Sequence, residues 1–193
     1  MSIFKKLLIT LMILLAAAGG YYFLYWQNTP AFAAGEIQQA VQKKDWDLFC
    51  KRVDVARVYS YALDDMLAEL KADGLPEHAI AASLVKSIKK EVVKELIRQT
   101  EIRFKDGAPA SKSLLDKPVK TLTAYAGSSA LSLTDIFKIE EKDGKAIAYV
   151  QLEDKDLSRD FIWQVQLEKD VNGLWTATRI LNFTDYLKER MDG

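Results

Sequence analysis

The feature that most constrains this chain is an uncharged, largely apolar run from Leu7 to Trp26, which follows a pair of lysines. A helix rising ~1.5 Å per residue makes this run about 30 Å long, which is the thickness of a bilayer's hydrocarbon core. A cleaved signal peptide usually has an apolar stretch of only ~7–15 residues. The run therefore predicts a transmembrane anchor over residues 7–28, with residues 1–6 as a short tail.

The flanking charges predict how this anchor is oriented. Lys5 and Lys6 precede the run, and the next basic residue is Lys43. Basic residues favour the cytoplasmic side of a membrane, and the tyrosines and tryptophan at the end of the run suit its interface. We expect a single-pass protein of the cell membrane, with residues 1–6 in the cytoplasm and residues 29–193 outside it.

Secretion is the alternative interpretation. Ala31-Phe32-Ala33 has the small-x-small pattern that signal peptidase recognises, and cleavage after Ala33 would release the rest of the chain. However, Thr29-Pro30 is typical of a helix N-cap followed by proline at the first helical position. A helix beginning at Pro30 would keep this site out of the extended form that a protease needs. The long apolar run favours the anchor, and both interpretations stay open at this point.

Composition argues against several kinds of activity. The chain has 27 basic and 27 acidic residues, so it lacks the basic excess typical of nucleic-acid binding. It has one histidine and one cysteine, and a single cysteine excludes an internal disulfide. Cys50, among apolar neighbours, is expected to be a buried structural thiol, and a catalytic pair with His78 is disfavoured. We expect no nucleic-acid partner and no cofactor.

The middle of the chain has helical periodicity. Asp45 is a candidate cap for a helix that begins at Trp46, and Asp54 is a candidate cap for the next one. The segment "VARVYSYALDDMLAEL" places its apolar residues on one face, and Asp73-Gly74 should end it. A third, long helix is predicted over residues 76–104. Its expected apolar stripe is Ile80, Leu84, Ile88, Val92 and Leu96.

From Asp135 the apolar period changes to two, which predicts strands. Asp143-Gly144 and Asn172-Gly173 favour two-residue hairpin turns. Such turns predict cross-strand neighbours on one inward face. The expected pairs are Ile139 with Ala148, Phe137 with Val150, Leu167 with Thr178, Val165 with Ile180, and Trp163 with Asn182. Thr184 is a candidate cap for a short closing helix.

Helices followed by an antiparallel sheet predict an α+β protein. We expect an amino-terminal transmembrane helix, then one extracytoplasmic domain over residues 29–193 whose helices pack on a four-stranded antiparallel sheet. Residues 107–134 have an ambiguous pattern, with loop composition followed by a stretch that suits a short helix or an irregular cover.

The stretch "NTPAFAAGEIQQAVQKKDWDLFCKRVDVARV" resembles the bacterial membrane-anchored family catalogued as domain of unknown function 2939. The matching elements are Pro30 after the anchor, Ala40-Val41, Lys44-Asp45 and Val53-Asp54. The layout of helices before a sheet ending "GLWTATRILNF" is similar to the nuclear-transport-factor-2-like cone fold. That resemblance implies helices over the concave side of a curved sheet, often with a pocket between them, and fixes no single function.

If a pocket exists, Trp163 and Asn182 are the candidate ligand-binding residues, because the expected register puts this apolar–polar pair on the inner face. Asn182 would then need a buried hydrogen-bond partner. The alternating acids of "DKDLSRD" suggest a calcium loop, but Arg159 and Val165 stand where glycine and the final carboxylate are needed. We therefore predict no metal site and no catalytic residue.

The sequence thus favours a membrane-anchored binding or interaction domain without catalysis, with an unidentified protein or small-molecule partner. The alternative is a small pocket enzyme of the cone fold that uses an aspartate or a tyrosine as its acid or base.

Overall fold

The computed structural model describes residues 3–72, 76–106 and 131–191. The helices are α1 (Ile3–Gln27), α2 (Pro30–Lys43), α3 (Trp46–Arg52), α4 (Val55–Ala72), α5 (Pro76–Ser87), α6 (Lys89–Asp106) and α7 (Phe183–Met191). The strands are β1 (Leu131–Lys142), β2 (Lys145–Asp154), β3 (Arg159–Lys169) and β4 (Trp175–Ile180).

The strands form one antiparallel sheet in the order β1-β2-β3-β4, and helices pack against one face of it. Along β2 the inward residues Ala146, Ala148, Val150 and Leu152 are buried, and their neighbours are more exposed. This alternation is expected when only one face of a sheet meets the core. The predicted α+β class, with an apolar amino-terminal helix and a four-stranded antiparallel sheet, is confirmed.

Helix starts follow the local capping residues. Thr29 Oγ1 accepts the N–H of Phe32 at 3.2 Å, and Pro30 occupies the first turn of α2. Asp45 Oδ1 accepts the N–H of Leu48 at 2.9 Å at the start of α3. Asp54 in the same way accepts from the first turn of α4. Each cap satisfies a backbone donor that the helix itself leaves unpaired, as the sequence predicted.

Among the described residues the core forms two apolar clusters that meet along β3. One lies between α4, α6, α7 and the end of β4, and its most buried members include Leu63, Val92 and Leu187. The other lies between α2, α3 and the sheet, around Ala33 and Trp175. Trp163 and Val165 on β3, together with Val58 and Tyr59 on α4, contact both clusters. The helices and the sheet therefore share one continuous interior.

The edge of β4 is covered by residues 53–54, which join α3 to α4. Val53 forms a parallel bridge with Ala177, and the Asp54 N–H donates to the Ala177 carbonyl at 2.9 Å. From there α4 runs along β4. This contact satisfies edge groups of β4 that would otherwise be open to pairing with another chain.

The predicted single helix over residues 76–104 is wrong. The chain forms α5 and α6, with a turn at Ile88 between them. The second half of the predicted stripe, Val92 and Leu96, is buried, while Ile80 and Leu84 on α5 are exposed. The turn rotates α5 so that Ala82 meets the core in their place.

The first hairpin has the predicted turn, and its register slips farther along. Asp143 and Gly144 both have positive φ, as this turn type requires, and Ile139 lies opposite Ala148. Beyond that pair, an irregularity in β1 puts Ile136 opposite Val150. The predicted inward position of Phe137 is therefore wrong, since it is the extra residue of the bulge and is half exposed.

The second hairpin has a longer loop than predicted, over residues 170–174. The Asp170 N–H donates to the Leu174 carbonyl, so the turn is wider than Asn172-Gly173 alone. Leu167 consequently lies opposite Ala177 and not Thr178, which is a correction to the predicted pair. A bulge then restores the predicted pairing of Val165 with Ile180.

Some of the predictions concern residues that lie outside the described ranges. Asp73-Gly74 lies outside the described residues, as does most of the ambiguous region, residues 107–130. Residues 131–134 belong to β1. The closing helix α7 begins at Phe183, one residue before the predicted cap Thr184.

Candidate functional site

The structure brings the two predicted ligand-binding residues together. Trp163 lies on the inner face of β3 opposite Val150, and its ring makes edge contacts with Phe183 and Tyr186 on α7. Asn182 follows the end of β4 and precedes α7. Its side chain binds the backbone on both sides of Trp163, so the predicted proximity is found although Asn182 is outside the strand.

The amide of Asn182 joins β3 to the start of α7. Its Nδ2 donates to the Ile162 carbonyl at 2.8 Å, and its Oδ1 accepts the Gln164 N–H at 2.8 Å. The main chain of Leu181 extends this contact, because its N–H donates to the Gln164 carbonyl. The hydrogen-bonding need that the sequence raised for Asn182 is thus met by the backbone of β3.

The indole N–H of Trp163 has no such partner. Its Nε1 atom is buried and makes no hydrogen bond. A buried donor left unpaired costs about 1–3 kcal/mol, so a ligand acceptor that reached it would gain that energy back. This orphan donor is the observation that keeps Trp163 a candidate ligand residue.

A second polar site, which sequence reasoning missed, joins α7 to the turn between β2 and β3. Asp154 is fully buried. Its carboxylate accepts hydrogen bonds from the Tyr186 hydroxyl at 3.0 Å, from the Arg190 guanidinium, and from the backbone N–H groups of Asp156 and Leu157. Arg190 also binds Asp156 at 2.7 Å. Tyr186 and Arg190 are more than thirty residues from Asp154 in the chain, so no local spacing predicts their contact with it.

The pKa values in this cluster keep Asp154 charged and Tyr186 neutral at neutral pH. Burial raises the pKa of Asp154. The hydrogen bonds from Arg190, Tyr186 and the Leu157 N–H lower it by more than burial raises it, so the pKa lies below the ordinary value. Burial, and next the Asp154 carboxylate, raise the pKa of Tyr186 far above its ordinary value. At neutral pH Asp154 is therefore a carboxylate and Tyr186 a neutral phenol. Neither has a pKa suited to proton transfer near neutrality.

The turn beside this cluster borders a concavity of about 300 Å³ that is lined by Glu153, Lys155, Ser158, Arg159 and Asp160. Ser158 has positive φ, and Arg159 pairs with Glu189 on α7. The carboxylates of the former calcium hypothesis are already engaged, since Asp154 binds Arg190 and Asp160 accepts from Gln151. Within residues 3–72, 76–106 and 131–191, no group of three His, Cys, Asp or Glu residues is placed to hold a metal ion.

Cys50 is exposed on α3, so the prediction of a buried structural thiol is wrong. The short helix turns Trp46 and Arg52 inward, which leaves position 50 facing outward. Partial desolvation of the thiol, and next the negative charges of Glu101 and Asp47, raise the pKa of Cys50. A higher pKa leaves less of the thiol as nucleophilic thiolate. His78 lies in the first turn of α5.

The junction between α1 and the domain is the third place where distant residues meet. Helix α1 is long and apolar enough over Leu8–Gln27 to cross a membrane or to act as a signal sequence, and none of it is buried. Only Asn28 and Thr29 separate it from α2, and the Trp175 indole N–H donates to the Asn28 carbonyl at 2.9 Å. The chain thus passes from an uncovered apolar helix to the core within two residues.

The start of α2 is fixed from several directions. Ala33 is completely buried in the core, and Pro30 is buried beside it. Phe32 packs edge-on against Trp26 and lies under the guanidinium of Arg52. Arg52, itself buried, pairs with Glu36 one turn farther along α2. The residues around the possible cleavage site therefore belong to the folded domain.

Comparisons with protein-family models, curated proteins and solved structures give no match to this chain. The resemblances to domain of unknown function 2939 and to the cone fold consequently stay predictions.

Proposed function

We propose that this chain is a membrane-anchored domain, held by residues 7–28 and displayed outside the cytoplasm, where it acts in binding and not in catalysis. One observation carries the proposal: an entirely unburied apolar helix leads, after two residues, into the core of the domain. The apolar stretch Leu8–Gln27 of α1 is about 30 Å long, which matches a bilayer's hydrocarbon core.

The exposure of α1 supports a lipid environment for it. From Leu8 to Trp26 its large apolar side chains are largely exposed, for example Leu14, Phe23 and Leu24. Soluble proteins rarely keep contiguous apolar surfaces of this size in water. A helix satisfies all of its interior backbone hydrogen bonds, which is the condition for residing in lipid.

The buried start of α2 supports retention of the anchor over cleavage after Ala33. Cleavage there would remove the Thr29 cap, the buried Pro30 and the Asn28 carbonyl that Trp175 binds. The residues 31–33 are also helical, whereas a protease binds its substrate in extended form. A signal peptide would be expected to end before the folded domain begins.

The proposed orientation follows from the basic residues. Lys5 and Lys6 precede the span, and the first basic residue after it is Lys43, so the short tail is assigned to the cytoplasm.

The polar chemistry of the domain favours binding over catalysis. The fully buried carboxylate of Asp154 binds Arg190 and Tyr186, and the concavity beside it is lined by charged side chains of both signs. Small-molecule and catalytic pockets are mostly apolar with a few convergent polar groups. A charged, open surface at the end of the sheet is better suited to a protein partner.

Within this proposal Trp163 is the residue assigned to a small ligand, because its indole N–H is unpaired while the adjacent Asn182 amide is bound to the β3 backbone. A thermal-shift screen of the wild-type protein should identify compounds that raise its melting temperature. For a ligand that accepts the Trp163 N–H, the variant W163F keeps an apolar ring, loses the donor and should lose the shift. A shift that is unchanged in W163F would remove Trp163 from the site.

The anchor and its orientation can be tested in cells with a carboxy-terminal tag on the full chain. We expect the tagged protein to stay in the membrane pellet after alkaline carbonate extraction, and the tag to be digested by protease added outside the cytoplasmic membrane. Extraction into the supernatant would contradict the anchor. A pelleted protein whose tag is protected until the membrane is opened would reverse the orientation.

A further inference from the structure

We propose that the β3–β4 loop, residues 170–174, contacts the surface of the membrane that holds α1, and that Val171 inserts into its interfacial layer. This inference rests on the proposed function, because it takes α1 as a membrane span. It adds a second contact between the domain and the lipid, one that fixes which end of the sheet faces the membrane.

The position of the loop follows from the hydrogen bond at the junction. Asn28 comes directly after the apolar stretch Leu8–Gln27, which places its backbone at the lipid–water boundary. Trp175 donates its indole N–H to the Asn28 carbonyl at 2.9 Å. Because Trp175 is the first residue of β4, the beginning of that strand lies at the level of the boundary.

The topology puts the loop at the extreme end of the sheet. Lys169 pairs with Trp175 as the last rung between β3 and β4, so residues 170–174 extend beyond it. The β1–β2 turn at Asp143-Gly144 lies at this same end, because Lys145 pairs with Glu168. The β2–β3 turn lies at the opposite end, which ten residues of β2 place about 30 Å away. The sheet thus has a membrane-proximal end and a distal end.

The loop holds Val171 outward in a fixed conformation. Asp170 Oδ1 accepts the N–H groups of both Asn172 and Leu174 at 2.8 Å, and the Gly173 N–H donates to the Asp170 carbonyl at 2.9 Å. Gly173 has a φ of 77°, which glycine adopts without strain. Val171 is fully exposed at the tip. A braced loop therefore presents an apolar side chain next to the proposed interface.

The charges around the loop have both signs. Lys169 lies over the Trp175 ring, and Lys145 pairs with Glu168. Asp143 and Asp170 are in the two turns at this end. With basic and acidic groups balanced in this way, we attribute the contact to insertion of the valine side chain, and we expect it to depend little on salt.

The test uses the full chain reconstituted into vesicles of neutral and anionic phospholipids. In a C50S background, V171C and K155C are each labelled with an environment-sensitive fluorophore. Lys155 is the matched control, since it is exposed in the turn at the distal end of the sheet. We expect blue-shifted emission at position 171, with quenching by spin-labelled lipid, and a water-like spectrum without quenching at position 155.

The outcomes separate this inference from the anchor itself. If the protein resists carbonate extraction but the label at 171 is as accessible to a water-soluble quencher as the label at 155, the loop contact is wrong and the anchor stands. If the protein is extracted, the anchor is wrong and the loop contact is wrong with it. Circular dichroism of each labelled variant, compared with the wild type, confirms that the fold is intact.

Discussion

At the residue scale, the capping residues could be predicted and the buried ion pair could not. Thr29, Asp45 and Asp54 cap helices whose first turn follows directly in the chain, so the local sequence contains the whole interaction. The burial of Asp154 instead requires contacts with Tyr186 and Arg190, and these residues lie near it only in the folded arrangement of β3, β4 and α7. The sequence predicted the proximity of Trp163 and Asn182, but not that β3 backbone would occupy the Asn182 amide.

Replacing Asp154 should be among the most destabilising single changes in the domain. D154N keeps the shape of the side chain but removes the buried charge that faces the largely buried guanidinium of Arg190, at a cost of about 3–5 kcal/mol. D156N is the matched control, because Asp156 is exposed and its ion pair with Arg190 is worth about 1 kcal/mol or less. Urea unfolding measures both. Equal losses in the two variants would contradict the structural role of Asp154.

The same carboxylate predicts how stability depends on pH. Although burial raises the pKa of Asp154, Arg190 and Tyr186 bring it below its unfolded value. Its contribution is therefore complete above the unfolded pKa of about 4 and is lost as pH falls through the lower folded pKa. We expect the stability difference between wild type and D154N to shrink as pH falls below about 4, because the folded pKa of Asp154 lies below the unfolded one. A difference that stays constant over this range would show that Asp154 is not ionised in the fold.

At the element scale, the sequence predicted the type of most helices and strands, and failed where a break or bulge depends on the tertiary contacts. The apolar period continues through Ile88, yet the chain turns there and only α6 keeps the stripe on the core. In β1 the extra residue Phe137 shifts the register that strict alternation predicted. Periodicity gives the spacing of apolar residues, and the neighbouring elements decide which of them are covered.

Two leucines on the predicted stripe test this difference directly. L96A should cost about 2–5 kcal/mol, because Leu96 on α6 is buried in the core. L84A, the same substitution on α5, should change the free energy of unfolding by no more than about 0.5 kcal/mol, because Leu84 is exposed. Chemical denaturation of the two variants under one set of conditions gives the comparison. A loss in L84A comparable to that in L96A would mean that α5 packs through the predicted stripe.

At the scale of the whole molecule, the domain is organised along the direction of its sheet. One end carries α1, the Trp175–Asn28 contact and the β3–β4 loop, and the other carries the β2–β3 turn, the Asp154 cluster and the charged concavity. In our proposal the first end faces the membrane and the second faces a partner. The order of helices and strands could be predicted from the sequence. Which turns and side chains lie at each end of the sheet could not be predicted, because that depends on the register of each hairpin.

The mass of the mature protein is the most direct test of the central proposal, that α1 stays attached as an anchor. The full chain should be produced in bacterial cells with a carboxy-terminal tag, solubilised in detergent, purified and measured by intact mass spectrometry. We predict a mass that includes residues 1–33, because Pro30 and Ala33 are part of the folded core. A mature protein that begins at Ala34 would contradict the proposal and identify the chain as a secreted domain.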